Sequence, residues 1–378
     1  MTILTEDQQM IQDMARSFAQ DVLAPGAAAR DKSKQIEPEI LAQLGELGFL
    51  GMTVPEDMGG VGADYVSYAL ALIEVAAGDG AVSTVMSVHN APFNAILQRY
   101  GSELQREKVL RPATAGAFIG AFALTEPHAG SDASAIRTRA RRDGDDYVIN
   151  GEKAFITSGQ IGGWVIVFAR MEGHEGKSGI TAFLVPTDAD GYHVTSVEEK
   201  LGQRCSDTCA LRFEDLRVPA EMRIGDEGEG YRIALSSLET GRIGIASQSV
   251  GMAQAALDHA VAYANERQSF GQPLMQHQAV GFRLADARTQ LEAARQLVLN
   301  AARMKDAGVP CLAEAAMAKL FASEAAEQII SASIQTLGGY GYMQDFPVER
   351  IYRDARVCQI YEGTSDIQKM IIARGLAG

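Results

Sequence analysis

The chain has 378 residues, long enough for a substantial core and two or three structural units. Its composition, 47% hydrophobic and 22% charged, is that of a globular protein, and a formal charge of −14 argues against nucleic acid or an anionic membrane as partner. No apolar run reaches bilayer length, Met1–Asp7 has no signal-peptide character, and four cysteines suit a reducing compartment such as the cytoplasm.

Residues 1–120 read as helical. Ile11, Met14, Phe18 and Val22 recur at helical spacing behind Thr5 and Gln8, a capping-box pair. Pro38 opens a second helix through Ile40, Leu41, Leu44 and Leu47, closed near Gly48, and Tyr65–Ala77 predicts a third. Over 121–228 short β-prone runs alternate with turns: Tyr147–Gly151, Trp164–Phe168, Ile180–Val185 and Ala210–Phe213, with Asp143-Gly144 and Asn150-Gly151 as turn dipeptides. No long helical pattern interrupts them, so a compact antiparallel unit is expected. The residues 229–378 return to helix, with small residues along the first segment and two long segments, 274–306 and 312–337, broken at Gly308-Val309-Pro310. The expected class is α+β: helices, a β unit, then a helical bundle.

Four segments could carry chemistry. Phe122-Ala123-Leu124-Thr125-Glu126-Pro127 continues into Ala129-Gly130-Ser131-Asp132, where hydroxyls and turn N–H groups can hold polar ligand atoms; alone it reads as a capped turn. Lys153–Gly159 pairs the aromatic Phe155 with the hydroxyl of Thr157, which suits a flat ring and equally a strand end. Glu266-Arg267-Gln268-Ser269-Phe270-Gly271 interrupts two helices, with Gln278 a turn later; Arg267 offers a donor fork for phosphate or a solvated loop cation. Gln335-Thr336-Leu337-Gly338-Gly339 ends a helix with more glycine than a cap requires, and it lacks the spacing of a Rossmann phosphate loop.

The most telling stretch is Gln359-Ile360-Tyr361-Glu362-Gly363-Thr364-Ser365-Asp366. A carboxylate between an aromatic and a glycine, just before a helix start that Thr364 or Ser365 can cap, suits a desolvated base that takes a proton from carbon. Other constellations fail: the six histidines are scattered, Cys205 and Cys209 have no second ligand cluster, and neither G-x-S-x-G nor a P-loop occurs, so no metal is expected. Arg137, Arg139 and Arg141 alternate along one strand face, which reads as a solvated edge.

Together these motifs, in this order, resemble the acyl-CoA dehydrogenase family over essentially the whole chain. The resemblance implies an N-terminal helical domain, a middle β-barrel and a C-terminal four-helix domain, assembled as a homotetramer with one FAD per subunit. It implies that Phe122, Leu124, Thr125, Ser131, Phe155, Ile156, Thr157, Thr364, Ser365 and Asp366 serve FAD within the subunit. Arg267, Phe270, Gln278, Gln335, Thr336, Leu337, Gly338 and Gly339 would serve the FAD of a neighbour. Ser131, Glu239, Thr240, Gly241, Arg242 and Gly363 match positions that touch the acyl-CoA, and Glu362 matches the base. The implied reaction is α,β-dehydrogenation: Glu362 takes the α-proton, the β-hydrogen leaves as hydride to flavin N5, and trans-2-enoyl-CoA forms. An electron-transfer flavoprotein would then collect the electrons. Some relatives place the base where Gly241 stands, and Glu239, two helical positions earlier, faces elsewhere. Many carry Trp at the position of Phe155, and a Phe there points to short and 2-methyl-branched acyl chains. A flavin oxidase or monooxygenase acting on a non-CoA substrate is the alternative on the same scaffold.

Overall fold

The computed structural model describes residues 3–377. Helix α1 (Glu6–Phe18) starts on the expected capping box: Thr5 Oγ1 accepts the Gln8 N–H, and the Gln8 amide oxygen accepts the Thr5 N–H. It is followed by α2 (Ala24–Ser33), α3 (Pro38–Glu46), α4 (Tyr65–Gly78) and α5 (Gly80–Val88), then by the short α6 (Ala95–Tyr100), α7 (Glu103–Gln105) and α8 (Arg111–Thr114). Nearly every residue of α4 is buried, since α1 covers one side and the C-terminal helices the other. An apolar helix without a polar face is stable only in such a sandwich.

The middle unit is a sheet of eight strands: β1 (Ile119–Ala123), β2 (Arg139–Asp143), β3 (Asp146–Thr157), β4 (Gly162–Met171), β5 (Ile180–Pro186), β6 (Tyr192–Val197), β7 (Thr208–Pro219) and β8 (Arg223–Ile224). Pairing runs β6-β7-β3-β2-β4-β5-β8, with β1 also on β4. One feature corrects the expectation of an antiparallel unit. Both β1 and β2 lie parallel to β4, β1 along Gly162–Val167 and β2 along Arg170–Met171, whereas the other pairings in this sheet are antiparallel. The loop 124–138 leaves the sheet after β1 and returns further along the same edge of β4, so the two strands keep one direction. Along the hydrogen-bonded path β6 and β8 stand at the two ends. Ile136, Thr138 and Ala140 are buried while Arg137, Arg139 and Arg141 are exposed, and Arg139 and Arg141 pair with Glu175 and Asp143.

The last unit comprises α9 (Gly230–Glu266), the hairpin β9 (Gln268–Ser269) and β10 (Gln272–Pro273), α10 (Gln278–Asp306), α11 (Leu312–Leu337), α12 (Pro347–Ala355) and α13 (Ser365–Ala377). Buried alanines, among them Ala246, Ala253, Ala256, Ala315, Ala318 and Ala322, let α9 and α11 approach closely. No helix among the described residues is long and apolar enough to cross a membrane.

Candidate active site

Glu362 sits in the turn between a short helical segment, Arg356–Gln359, and α13, with φ +53°. This left-handed backbone turns its side chain back onto α9, where the carboxylate lies directly over Gly241. A Cβ at that position would stand 2.6 Å from Glu362 Oε2 and 2.9 Å from its Cδ, so only a residue without a side chain leaves the space. Oε2 is shut off from solvent and has no hydrogen-bond partner. Burial therefore pushes the Glu362 carboxyl up to about 7, against the opposing pull of Arg242 and Lys319. Both cations are themselves buried, and burial lowers each, Lys319 to about 8. Lys319 Nζ donates to Gly363 O at 2.8 Å, and Arg242 Nε is buried without a partner. Gln368 Nε2 donates to the carbonyls of Glu362 (3.1 Å) and Gly363 (2.8 Å), pinning the turn. Thr364 caps α13 by accepting the Ile367 N–H at 3.4 Å, while Ser365 Oγ is buried and unpaired. The Glu362 N–H finds no acceptor among the described residues.

A second group lies on the sheet. The register of β3 on β7 slips between Lys153 and Ile156, and within this bulge Phe155 takes φ +59° and turns its ring out, 65% exposed. The segment after β1 docks on the bulge through the Ala154 N–H, which donates to Thr125 O at 2.9 Å. Beneath it, buried Lys153 donates to Leu124 O (3.0 Å) and Glu126 Oε1 (2.8 Å). Phe122 packs on Phe168, and Ser131 is exposed. The side chains of Leu124 and Ile156 face the core.

The third group gathers elsewhere. Phe270 crowns the β9–β10 hairpin, 97% exposed, and the Arg267 guanidinium lies 6.0 Å from the Tyr340 ring centroid. Gln278 and Gln335 are exposed, Thr336 accepts from Arg283 at 3.5 Å, Leu337 is buried, and Gly338 and Gly339 have open space around them. Along α11, Lys319 touches the Glu362 turn whereas Gln335 lies 16 residues on, about 24 Å away at 1.5 Å per residue. Within one chain this group does not join Glu362. Glu239 also points away from it and accepts from Lys305 Nζ at 2.7 Å, while Thr240 is buried.

Family models match in the same three blocks: the acyl-CoA dehydrogenase N-terminal domain over 5–117, the middle domain over 121–216 and the C-terminal domain over 228–377. The chain belongs to the acyl-CoA dehydrogenase family. It is 46% identical over 370 residues to the mitochondrial short-chain specific acyl-CoA dehydrogenase of Bos taurus, covering 98% of this chain and 90% of that one. The structure of butyryl-CoA dehydrogenase from Megasphaera elsdenii superposes with a TM-score of 0.98 at 40% identity, covering 100% of both chains. A glutaryl-CoA dehydrogenase from Mycobacterium smegmatis in complex with FADH2 gives 0.94 at 33% identity, over 99% and 95%.

Acyl-CoA dehydrogenases are FAD-dependent oxidoreductases, and the residues present here fit a flavin and a thioester. The outward Phe155 ring offers a stacking face, and four orphaned buried polar atoms cluster at the Glu362 turn: Glu362 Oε2, Arg242 Nε, Ser365 Oγ and Gln368 Oε1. Motif reading missed Lys319 and the pairing of Lys153 with Glu126. Lys319 and Lys153 are charged residues on otherwise apolar buried faces, a signal that could have marked them.

Proposed function

We propose that this chain dehydrogenates short-chain acyl-CoA thioesters, 2-methyl-branched ones included, with Glu362 as the base. The observation that carries the reading is the unpartnered, desolvated Glu362 carboxylate lodged over Gly241. A solvated carboxylate is too weak to deprotonate the carbon beside a thioester, and burial makes Glu362 a stronger base. As the α-proton leaves, negative charge grows on the thioester oxygen, and the uncommitted Glu362 N–H is a donor available to it. Lys319 and Gln368 hold the turn so that donor and base keep one geometry. Bound FAD supplies the acceptor for the β-hydrogen and its electron pair, which leaves a trans-2-enoyl-CoA.

Within the subunit, Phe122–Ser131, Phe155–Thr157 and Thr364–Asp366 would hold the flavin. The separation of the Arg267–Gln335 group from Glu362 supports its serving a neighbour's flavin in a homotetramer, with an electron-transfer flavoprotein as the external acceptor. Ser131, Thr240, Arg242 and Gly363 would meet the substrate; Glu239, engaged with Lys305, fits that role less well. We divide the chain at about residues 120 and 228.

The test is anaerobic mixing of the yellow holoenzyme with butyryl-CoA and with 2-methylbutyryl-CoA. Bleaching of the flavin without oxygen, abolished by Glu362→Gln, is the expected result. An enzyme that reacts with neither thioester, or whose Glu362→Gln variant bleaches at the wild-type rate, overturns the reading. The non-CoA oxidase has no comparable support.

A further inference from the structure

The loop 200–207, between β6 and β7, touches both halves of the site. At its far end Asp207 holds the turn that follows Phe155: the Ser158 N–H donates to Asp207 O (3.1 Å), and the Gln160 N–H to Asp207 Oδ2 (2.8 Å). At its near end Gly202 lies so close to α12 that a Cβ there would collide with the Arg353 carbonyl. This contact brings Gln203, buried and at φ +49°, into a polar junction of all three units. The Gln203 N–H donates to the Asp354 carboxylate, and its Nε2 donates to Asp354 O (3.1 Å) and to Tyr361 Oη (3.3 Å). Gln203 Oε1 accepts from Thr84 Oγ1 at 2.6 Å. Tyr361 Oη in turn donates to Gln248 Oε1 (3.0 Å), whose Nε2 donates to Ser83 Oγ (2.7 Å) and Thr84 Oγ1 (2.9 Å).

Tyr361 immediately precedes Glu362, so whatever fixes the phenol fixes the backbone from which the base hangs. We propose that Gln203 is a positioning residue for the dehydrogenation: its amide locks Tyr361, and the loop that carries it sets Glu362 against the Phe155 turn. A junction that merely glued the units together would have no reason to end on the residue beside the base and on the turn that presents Phe155. The amide suits the task because it donates to the phenol and accepts from Thr84 at once, a pair of roles no aliphatic side chain can fill. Asp354 rigidifies the near end of the loop in the same way, by accepting the Gln203 N–H within a site closed to water. The proposal rests on Glu362 being the base.

The experiment uses FAD-loaded Gln203→Leu, Tyr361→Phe and the double variant, with wild type and Glu362→Gln measured alongside. Anaerobic bleaching by saturating butyryl-CoA gives the chemical rate, and its concentration dependence gives substrate affinity. Gln203→Leu should keep its flavin and bind butyryl-CoA within about threefold of wild type, yet bleach about tenfold or more slowly, since small misplacements of a reacting group have effects of that order. Tyr361→Phe should lose a similar factor, and Gln203→Leu added to it should cost less than about twofold further, the non-additivity of two residues acting along one route. Thr84→Val, which frees one end of the amide, should slow bleaching by about threefold through the same route and serves if Gln203→Leu does not fold. Wild-type bleaching in these variants, or fully additive losses, overturns the proposal. If Glu362→Gln is inert while Gln203→Leu is unimpaired, the base assignment stands and this proposal alone falls. Wild-type bleaching by Glu362→Gln removes both.

Discussion

Gly241→Ala separates activity from stability in this molecule. In an ordinary helix interior the change should stabilise by about 0.5–1 kcal/mol, because alanine loses less backbone freedom on folding. Here the new methyl would stand 2.6 Å from Glu362 Oε2, 2.9 Å from Cδ and 3.4 Å from Oε1. Every atom in that clash belongs to the free end of one flexible side chain, so the fold should absorb it and the carboxylate should not. To regain ordinary contact Oε2 must retreat by about 0.8 Å, and a misplacement near 1 Å can cost about a hundredfold in rate. That corresponds to about 2.7 kcal/mol of barrier. We expect Gly241→Ala to keep its flavin, to melt no lower than wild type, and to bleach with butyryl-CoA about ten to a hundred times more slowly. Stopped-flow bleaching beside a thermal melt measures both quantities. Wild-type bleaching would show that the carboxylate over Gly241 is not the working base, and a rate loss matched by flavin loss would make the effect one of folding.

The remaining expectations concern charge and cofactor. With a carboxyl near 7 that must be ionised to accept a proton, kcat/KM should rise about tenfold per pH unit below 7 and level off above it; a flat profile from pH 5.5 to 8 contradicts the burial effect. The same shift acts on stability with a defined sign. Between the ordinary value of 4.5 and about 7 the folded state holds a proton that the unfolded state has released, so stability falls as pH rises through that window. Glu362→Gln, which has no charge to desolvate, should therefore out-melt wild type at pH 8, and the advantage should vanish below pH 4.5; equal melting at both ends refutes this. Lys153→Met leaves Glu126 buried without its ion-pair partner, which should cost about 3–5 kcal/mol in denaturant unfolding, and a loss below about 1 kcal/mol would be too small for that pair. Arg267→Ala should loosen flavin retention during gel filtration while leaving the bleaching rate per bound flavin intact, and unchanged flavin occupancy would remove Arg267 from the cofactor's neighbourhood.

Much of the architecture is legible because it is local. A capping box at Thr5, a proline at the head of α3 and the Asp143-Gly144 turn between β2 and β3 are decided by residues within a turn of one another, and the structure places each where the pattern does. Asn150-Gly151, expected as a turn, instead lies inside β3, where the register slips against β7. The helical spacing of 274–306 and 312–337 likewise becomes α10, after a short lead-in, and α11. Pairing direction is not local. Nothing in the composition of β1 or β2 tells them to run parallel to β4, because that depends on where a loop of more than a dozen residues brings the chain back.

The YEGTS segment announces a carboxylate poised for chemistry from its own neighbours in sequence, and the family motifs say what kind. The environment of that carboxylate comes from distant chain: Gly241, Arg242 and Lys319 lie more than forty residues before it and reach it only when α9 and α11 pack beside the turn. The same holds for Gln203, an unremarked loop residue until folding sets it between Thr84, Asp354 and Tyr361. Propensity, capping and turn chemistry act over a few residues and are written along the chain, whereas desolvation and clash act through space and exist only once packing has closed around them.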